Sequence, residues 1–134
     1  MSRKLVAVYG TLKREGSNYH VTEAGGGVFL GTAKTIHDYC MYGGWGFPRV
    51  TQDAPICPIH VEVFDMDSFA PMDSLEGHPN FFKREQIPIV FNQSAGLDVD
   101  VAWMYFHPPM SGKPHYSDTA IVEDGLWPVK QQSA

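Results

Sequence analysis

Two short segments hold most of the residues able to do chemistry. Val8-Tyr9-Gly10-Thr11-Leu12-Lys13 closes an apolar run near the N-terminus. Asp73-Ser74-Leu75-Glu76-Gly77-His78-Pro79 sets one carboxylate at the end of a short helical pattern. A turn with successive backbone N–H groups forms a concavity that binds an anion without a lysine. Gly10 permits close approach of a ligand to the backbone, and the Thr11 hydroxyl adds a donor. Glu76 is flanked by Leu75, Gly77 and Pro79, with Phe81 and Phe82 close by in sequence. Desolvation there would raise its pKa toward the range of a general acid or base. An anion-holding turn and one proton-moving glutamate suffice for acyl transfer on a small molecule, with no metal and no cofactor. Each segment also has a plain structural reading. Taken alone, Tyr9 to Leu12 reads rather as a strand-ending turn with no ligand. Spacing alone favours Glu76 as a solvated helix end or the ion-pair partner of Lys83 or Arg84.

Other chemistries find little support. The six histidines (His20, His37, His60, His78, His107 and His115) show no metal-ligand spacing. The glycine run Gly25-Gly26-Gly27 lacks the lysine and helix of a phosphate loop, and no serine sits in a nucleophile elbow. The net charge of −5 and the absence of a Lys/Arg cluster argue against nucleic acid as a partner. Cys40 and Cys57 are too few for a disulfide framework and read as reduced thiols of a cytoplasmic protein. The apolar run at Leu5 to Tyr9 is too short for a signal peptide or a membrane span.

The elements that must position these residues follow from patterning. The 134 residues, 43% hydrophobic and 19% charged, suit one globular domain over residues 1–134. Leu5 to Tyr9 predicts a strand buried on both faces. Val28 to Ile36 predicts a second, with Gly31 a bulge, and Asp38 to Tyr42 a short third. Ile56 to Met66 alternates as a half-buried strand, Ile59, Val61 and Val63 on one face and His60, Glu62 and Phe64 on the other. Asp67-Ser68 caps a helix in which Phe69, Met72 and Leu75 recur at helical spacing, Pro71 lies in the first turns and Glu76 comes last. Phe81 to Phe91 and Val99 to Phe106 predict two more strands. From His107 the chain reads as irregular, with Ile121 to Trp127 returning to the body. The sum is an α+β domain, a curled or barrel-like mixed sheet around one short helix carrying Glu76.

Taken in order, these residues resemble the γ-glutamylcyclotransferase-like (AIG2-like) superfamily, and within it the γ-glutamylamine cyclotransferase branch. The resemblance rests on Tyr9 to Leu12 followed by Lys13-Arg14-Glu15-Gly16, Asn18-Tyr19-His20, Phe47-Pro48 and the strand Ile59 to Phe64. It continues through Asp73 to Pro79 with Phe82 and Arg84, and ends on Ala102-Trp103-Met104-Tyr105. It implies a compact mixed barrel with a cavity, the glutamate entering from one side and the Tyr9 to Leu12 turn at its base. It favours the functional reading of both segments: Glu76 catalytic, and Tyr9, Gly10, Thr11, Leu12 and Phe82 in contact with a small γ-glutamyl substrate. The implied reaction closes 5-oxoproline from a γ-glutamyl amine or peptide, cofactor-free and metal-free. The rivals are removal of a γ-glutamyl cap by the same site, a binding module without turnover, and a structural domain without a pocket. Two positions depart from the family pattern. Val61 replaces a glycine, and Phe82 replaces a tyrosine whose hydroxyl Tyr116 is the candidate to supply. The leaving amine and the oligomeric state are not encoded in any motif.

Overall fold

A computed structural model describes residues 4–43, 47–94, 99–109 and 121–127. In chain order they form β1 (Leu5–Val8), α1 (Tyr19–Ala24), β2 (Val28–Thr35), β3 (Cys40–Tyr42), β4 (Arg49–Thr51), β5 (His60–Asp65), α2 (Ala70–Glu76), β6 (Lys83–Phe91) and β7 (Val99–Phe106). Five strands close into a barrel in the order β1-β5-β2-β6-β7, while β3 and β4 pair as a separate hairpin. Neighbours are antiparallel except β1 and β7, which meet in parallel at Val6 and Trp103 to close the barrel. The bulge expected in β2 is present: the register against β5 shifts between Phe29 and Gly31, where φ is +154°.

Strand alternation sorts the apolar residues into two cores. Leu5, Ala7 and Tyr9 of the β1 segment join Ile59, Val61, Val63, Ala102 and Met104 in the barrel lumen. Val6 and Val8 point the other way, where Phe64, Met72, Phe82 and Tyr105 pack with partly buried residues of the α1 and α2 segments. β1 is therefore covered on both faces, which is why it reads as an unbroken apolar run. The same second core corrects the half-buried reading of Ile56 to Met66. Its outward residue Phe64 is fully buried, and the regular strand is shorter, His60–Asp65.

Two elements escaped the sequence pattern. The helix α1 is only six residues long, too short for a 3.6-residue repeat to register, and the strand β4 is three. The barrel-like α+β sheet stands, with two short α-helices among the described residues rather than one. Ile121 to Trp127 does return to the body: the Val122 N–H donates to the Met41 carbonyl at 2.8 Å, and the Gly125 carbonyl accepts from the His60 N–H at 2.9 Å. No helix of the described residues is long and apolar enough to cross a membrane.

Candidate active site

The turn that follows β1 is built to leave its donors free. Lys13 N–H closes it on the Gly10 carbonyl at 3.0 Å, and Asn18 N–H takes the Thr11 carbonyl at 2.9 Å. The Thr22 hydroxyl, fully buried on α1, donates to the Leu12 carbonyl at 2.8 Å. Three successive carbonyls are thus satisfied from the protein side, and Asn18 Nδ2 also donates to Thr11 Oγ1 at 3.0 Å. Among the described residues, the N–H groups of Gly10, Thr11 and Leu12 donate to no protein acceptor. These residues line a pocket shared with Tyr9, Phe47, Pro48, Glu76, Phe82 and Tyr105. Unpaired N–H groups on a concave wall are the arrangement that holds an anion.

Gly10 has a second reason to be glycine. A Cβ there would fall 2.5 Å from Pro48 Cγ and 2.8 Å from its Cδ. The close approach that the sequence assigns to a ligand is made, at least on that side, by the proline ring. Phe47-Pro48 thereby packs directly on the turn and forms one wall of the pocket.

A further part of the lining comes from the end of α2. Ser68 Oγ accepts the Ala70 N–H at 3.0 Å, Pro71 occupies the first turn, and Gly77 ends the helix in the left-handed conformation at φ +71°. Glu76 is the last helical residue. Burial raises its carboxyl from 4.5 to about 7. Among the described residues this carboxylate makes no hydrogen bond or ion pair. It is therefore neither a partner of Lys83 nor of Arg84. Arg84 instead grips Asp73, one turn earlier on α2, with Nε to Oδ1 at 2.9 Å and Nη2 to Oδ2 at 3.2 Å.

The remaining expected site residues divide by role. Tyr9 reaches the pocket, but its hydroxyl donates to the Tyr105 carbonyl at 2.9 Å, and burial holds the phenol neutral far above its usual range. Its hydroxyl is committed to the fold. Phe82 also lines the pocket, 5% exposed, its ring in edge contact with Phe81 at 5.0 Å and His107 at 5.3 Å. Tyr116 lies outside the described residues. The phenol among the lining residues, other than Tyr9, belongs to Tyr105, whose hydroxyl donates to Asp73 Oδ1 at 2.5 Å. Burial first, then the Asp73 hydrogen bond, push that phenol well above its ordinary pKa. The Asp73–Arg84–Tyr105 network was missed as part of the site. Its only sequence trace is that all three residues fall inside the quoted motifs. No group of three or more His, Cys, Asp or Glu among the described residues is arranged to hold a metal ion.

A small closed barrel in which a strand-end turn and a buried carboxylate line one pocket is the frame shared by one class of domain. The chain belongs to the gamma-glutamyl cyclotransferase, AIG2-like family, whose model matches residues 6–129. It is 34% identical over 109 residues to the "Putative gamma-glutamylcyclotransferase" of Methanocaldococcus jannaschii, covering 80% of this chain and 87% of that one. A Drosophila melanogaster protein of the same name is 32% identical over 108 residues, 75% of this chain and 67% of its own. The fold is similar to the crystal structure of an AIG2-like protein from Mus musculus, with a TM-score of 0.75, 18% identity and full coverage of both chains.

Proposed function

We propose that this protein closes the γ-glutamyl group of an amine or peptide into 5-oxoproline and releases the free amine, with Glu76 as general acid/base. The observation that carries this reading is the Glu76 carboxyl itself, raised to about 7 by burial and lining the same pocket as the turn of unpaired N–H groups. A carboxyl titrating near neutrality is populated in both forms, so it can accept a proton and return it at physiological pH. Membership of the family supports the cyclotransferase class.

In this scheme the substrate's α-carboxylate sits on the N–H groups of Gly10, Thr11 and Leu12. Glu76 takes a proton from the α-ammonium, and the freed amine attacks the γ-carbonyl carbon of the same molecule. The new C–N bond closes the ring as the carbonyl becomes an oxyanion. Collapse of that intermediate breaks the bond to the departing nitrogen, which receives the protons shed by the α-nitrogen through Glu76. Substrate and products contain the same atoms, so the reaction balances without water or a co-reactant. Nucleophile and electrophile share one molecule, and the site need only fold the substrate into attack geometry.

The test is release of 5-oxoproline from a panel of γ-glutamyl amines and dipeptides. At least one should be turned over, and Glu76→Gln should remove that turnover. A panel that binds, raising the melting temperature, yet yields no 5-oxoproline would favour a binding module instead.

A further inference from the structure

The Glu76 carboxylate makes no hydrogen bond or ion pair among the described residues, so the backbone of α2 and packing in the pocket set where it lies. The Gly10 to Leu12 turn that follows β1 lines the same pocket. One residue is bonded to both segments. The Tyr105 carbonyl accepts the Tyr9 hydroxyl at 2.9 Å, and the Tyr105 hydroxyl donates to Asp73 Oδ1 at 2.5 Å. Asp73 is three residues before Glu76 on the same helix. We propose that Tyr105 is a positioning residue, a strut that ties the β1 turn to α2 and so sets the separation and orientation of Glu76 relative to the turn.

The strut is itself braced. Arg84 holds the same carboxylate through two hydrogen bonds, and its guanidinium lies 4.5 Å from the Phe69 ring centroid and 4.7 Å from that of Trp103. Arg84 N–H donates to His78 Nδ1 at 3.2 Å, which holds the chain just past Gly77 as well. The last turn of α2 is therefore fastened before and after Glu76, and the Glu76 carbonyl itself accepts the Phe82 N–H at 3.1 Å, while the Glu76 carboxylate is left unbonded. A rigid support around an unpaired carboxylate keeps it desolvated without neutralising it. The titratable groups that feel the Glu76 charge, Tyr9 and Tyr105, are both phenols held neutral by burial. A change in Glu76 titration on losing the strut would then report altered solvation of the carboxylate.

The inference rests on the acid/base reading of Glu76, and its test separates the two. Tyr105→Phe keeps the ring and the carbonyl and removes only the bond to Asp73. The Glu76 side chain is followed by carbon-13 NMR in the free protein, its signal assigned by its loss in Glu76→Gln. Tyr105→Phe should lower the Glu76 midpoint by about half a pH unit or more, toward an ordinary carboxylate. It should also reduce kcat about tenfold or more with KM changed less. Asp73→Asn keeps an oxygen acceptor for the Tyr105 hydroxyl and should retain more of both properties than Asp73→Ala. An unchanged midpoint in folded Tyr105→Phe would overturn the strut, as would equal behaviour of Asp73→Asn and Asp73→Ala. Absence of 5-oxoproline release by the unmutated protein would instead sink the cyclisation reading and leave the NMR test of the strut intact.

Discussion

At the scale of single residues, the site stands on one side chain that works against stability. Glu76 titrates near 7 in the folded protein against 4.5 in the unfolded chain. A raised carboxyl favours the native state below the unfolded value, and that contribution is lost as pH rises through the folded value. Keeping Glu76 ionised at pH 8 then costs on the order of 3 kcal/mol. Glu76→Gln should consequently stabilise the protein at pH 8 and change little at pH 4, measured by urea unfolding at both. The same substitution should cut kcat for 5-oxoproline release by about 10²-fold or more, because glutamine keeps the shape but carries no proton. Gly10→Val belongs at this scale too. Its Cβ would collide with the Pro48 ring, so it should lower the melting temperature as well as weaken binding. A Gly10→Val protein that binds poorly but melts normally would refute the packing role of Pro48.

At the scale of elements, the turn is held by a helix that hardly looks like one. Thr22 of α1 is fully buried, and its hydroxyl reaches the Leu12 carbonyl. Thr22→Val preserves the shape and strands that carbonyl without its donor. The expected cost is about 1–3 kcal/mol in urea unfolding, with a rise in KM as the Gly10 to Leu12 N–H groups lose their fixed direction. A stability change under a few tenths of a kcal/mol would show that α1 does not brace the turn. On the other side, burial pushes the Asp73 carboxyl up, but the hydrogen bonds from Arg84 and Tyr105 outweigh it and hold the net value below 3.8. A depressed carboxyl stabilises the fold above its unfolded value and loses that contribution as pH falls through the folded one. The ion pair is about a fifth exposed on each side, so solvent limits its worth. Acid loosening of α2 is expected below about pH 4, and Asp73→Asn should abolish that part of the acid dependence.

At the scale of the whole molecule, a five-stranded barrel has a lumen small enough for its own side chains to fill, and the pocket draws its lining from both cores, Ala7 and Tyr9 with Val8, Phe82 and Tyr105. Ile59 and Val63 are fully buried in that lumen, whereas Val28 is 61% exposed on the outer surface of the same barrel. Ile59→Ala should cost about 2–5 kcal/mol and Val28→Ala less than about 0.5. Comparable costs for the two would mean the lumen is not the core of the fold.

What the sequence by itself determined is local and periodic. The run Leu5 to Val8, the alternation through Val61 and Val63, the Gly31 bulge and a helix ended by Gly77 each follow from steric and burial rules acting within a few residues; the cap expected at Asp67-Ser68 falls instead at Phe69, which makes no side-chain cap bond. The ordered motifs added the family and pointed to Glu76 and to the Tyr9 to Leu12 turn as one site. Tertiary structure decided what depends on residues far apart in the chain. It gave Asp73, not Glu76, to Arg84, because the β6 strand passes α2 one turn before its end. It set Pro48 in the space that Gly10 leaves, and it committed the Tyr9 hydroxyl to a carbonyl 96 positions away. It also buried Phe64 on a face whose alternation reads as solvent-exposed, since α2 and the α1 helix, too short to signal itself, cover that side. Periodicity reports which face a residue takes, but only the closed barrel and its outer layer determine what that face meets.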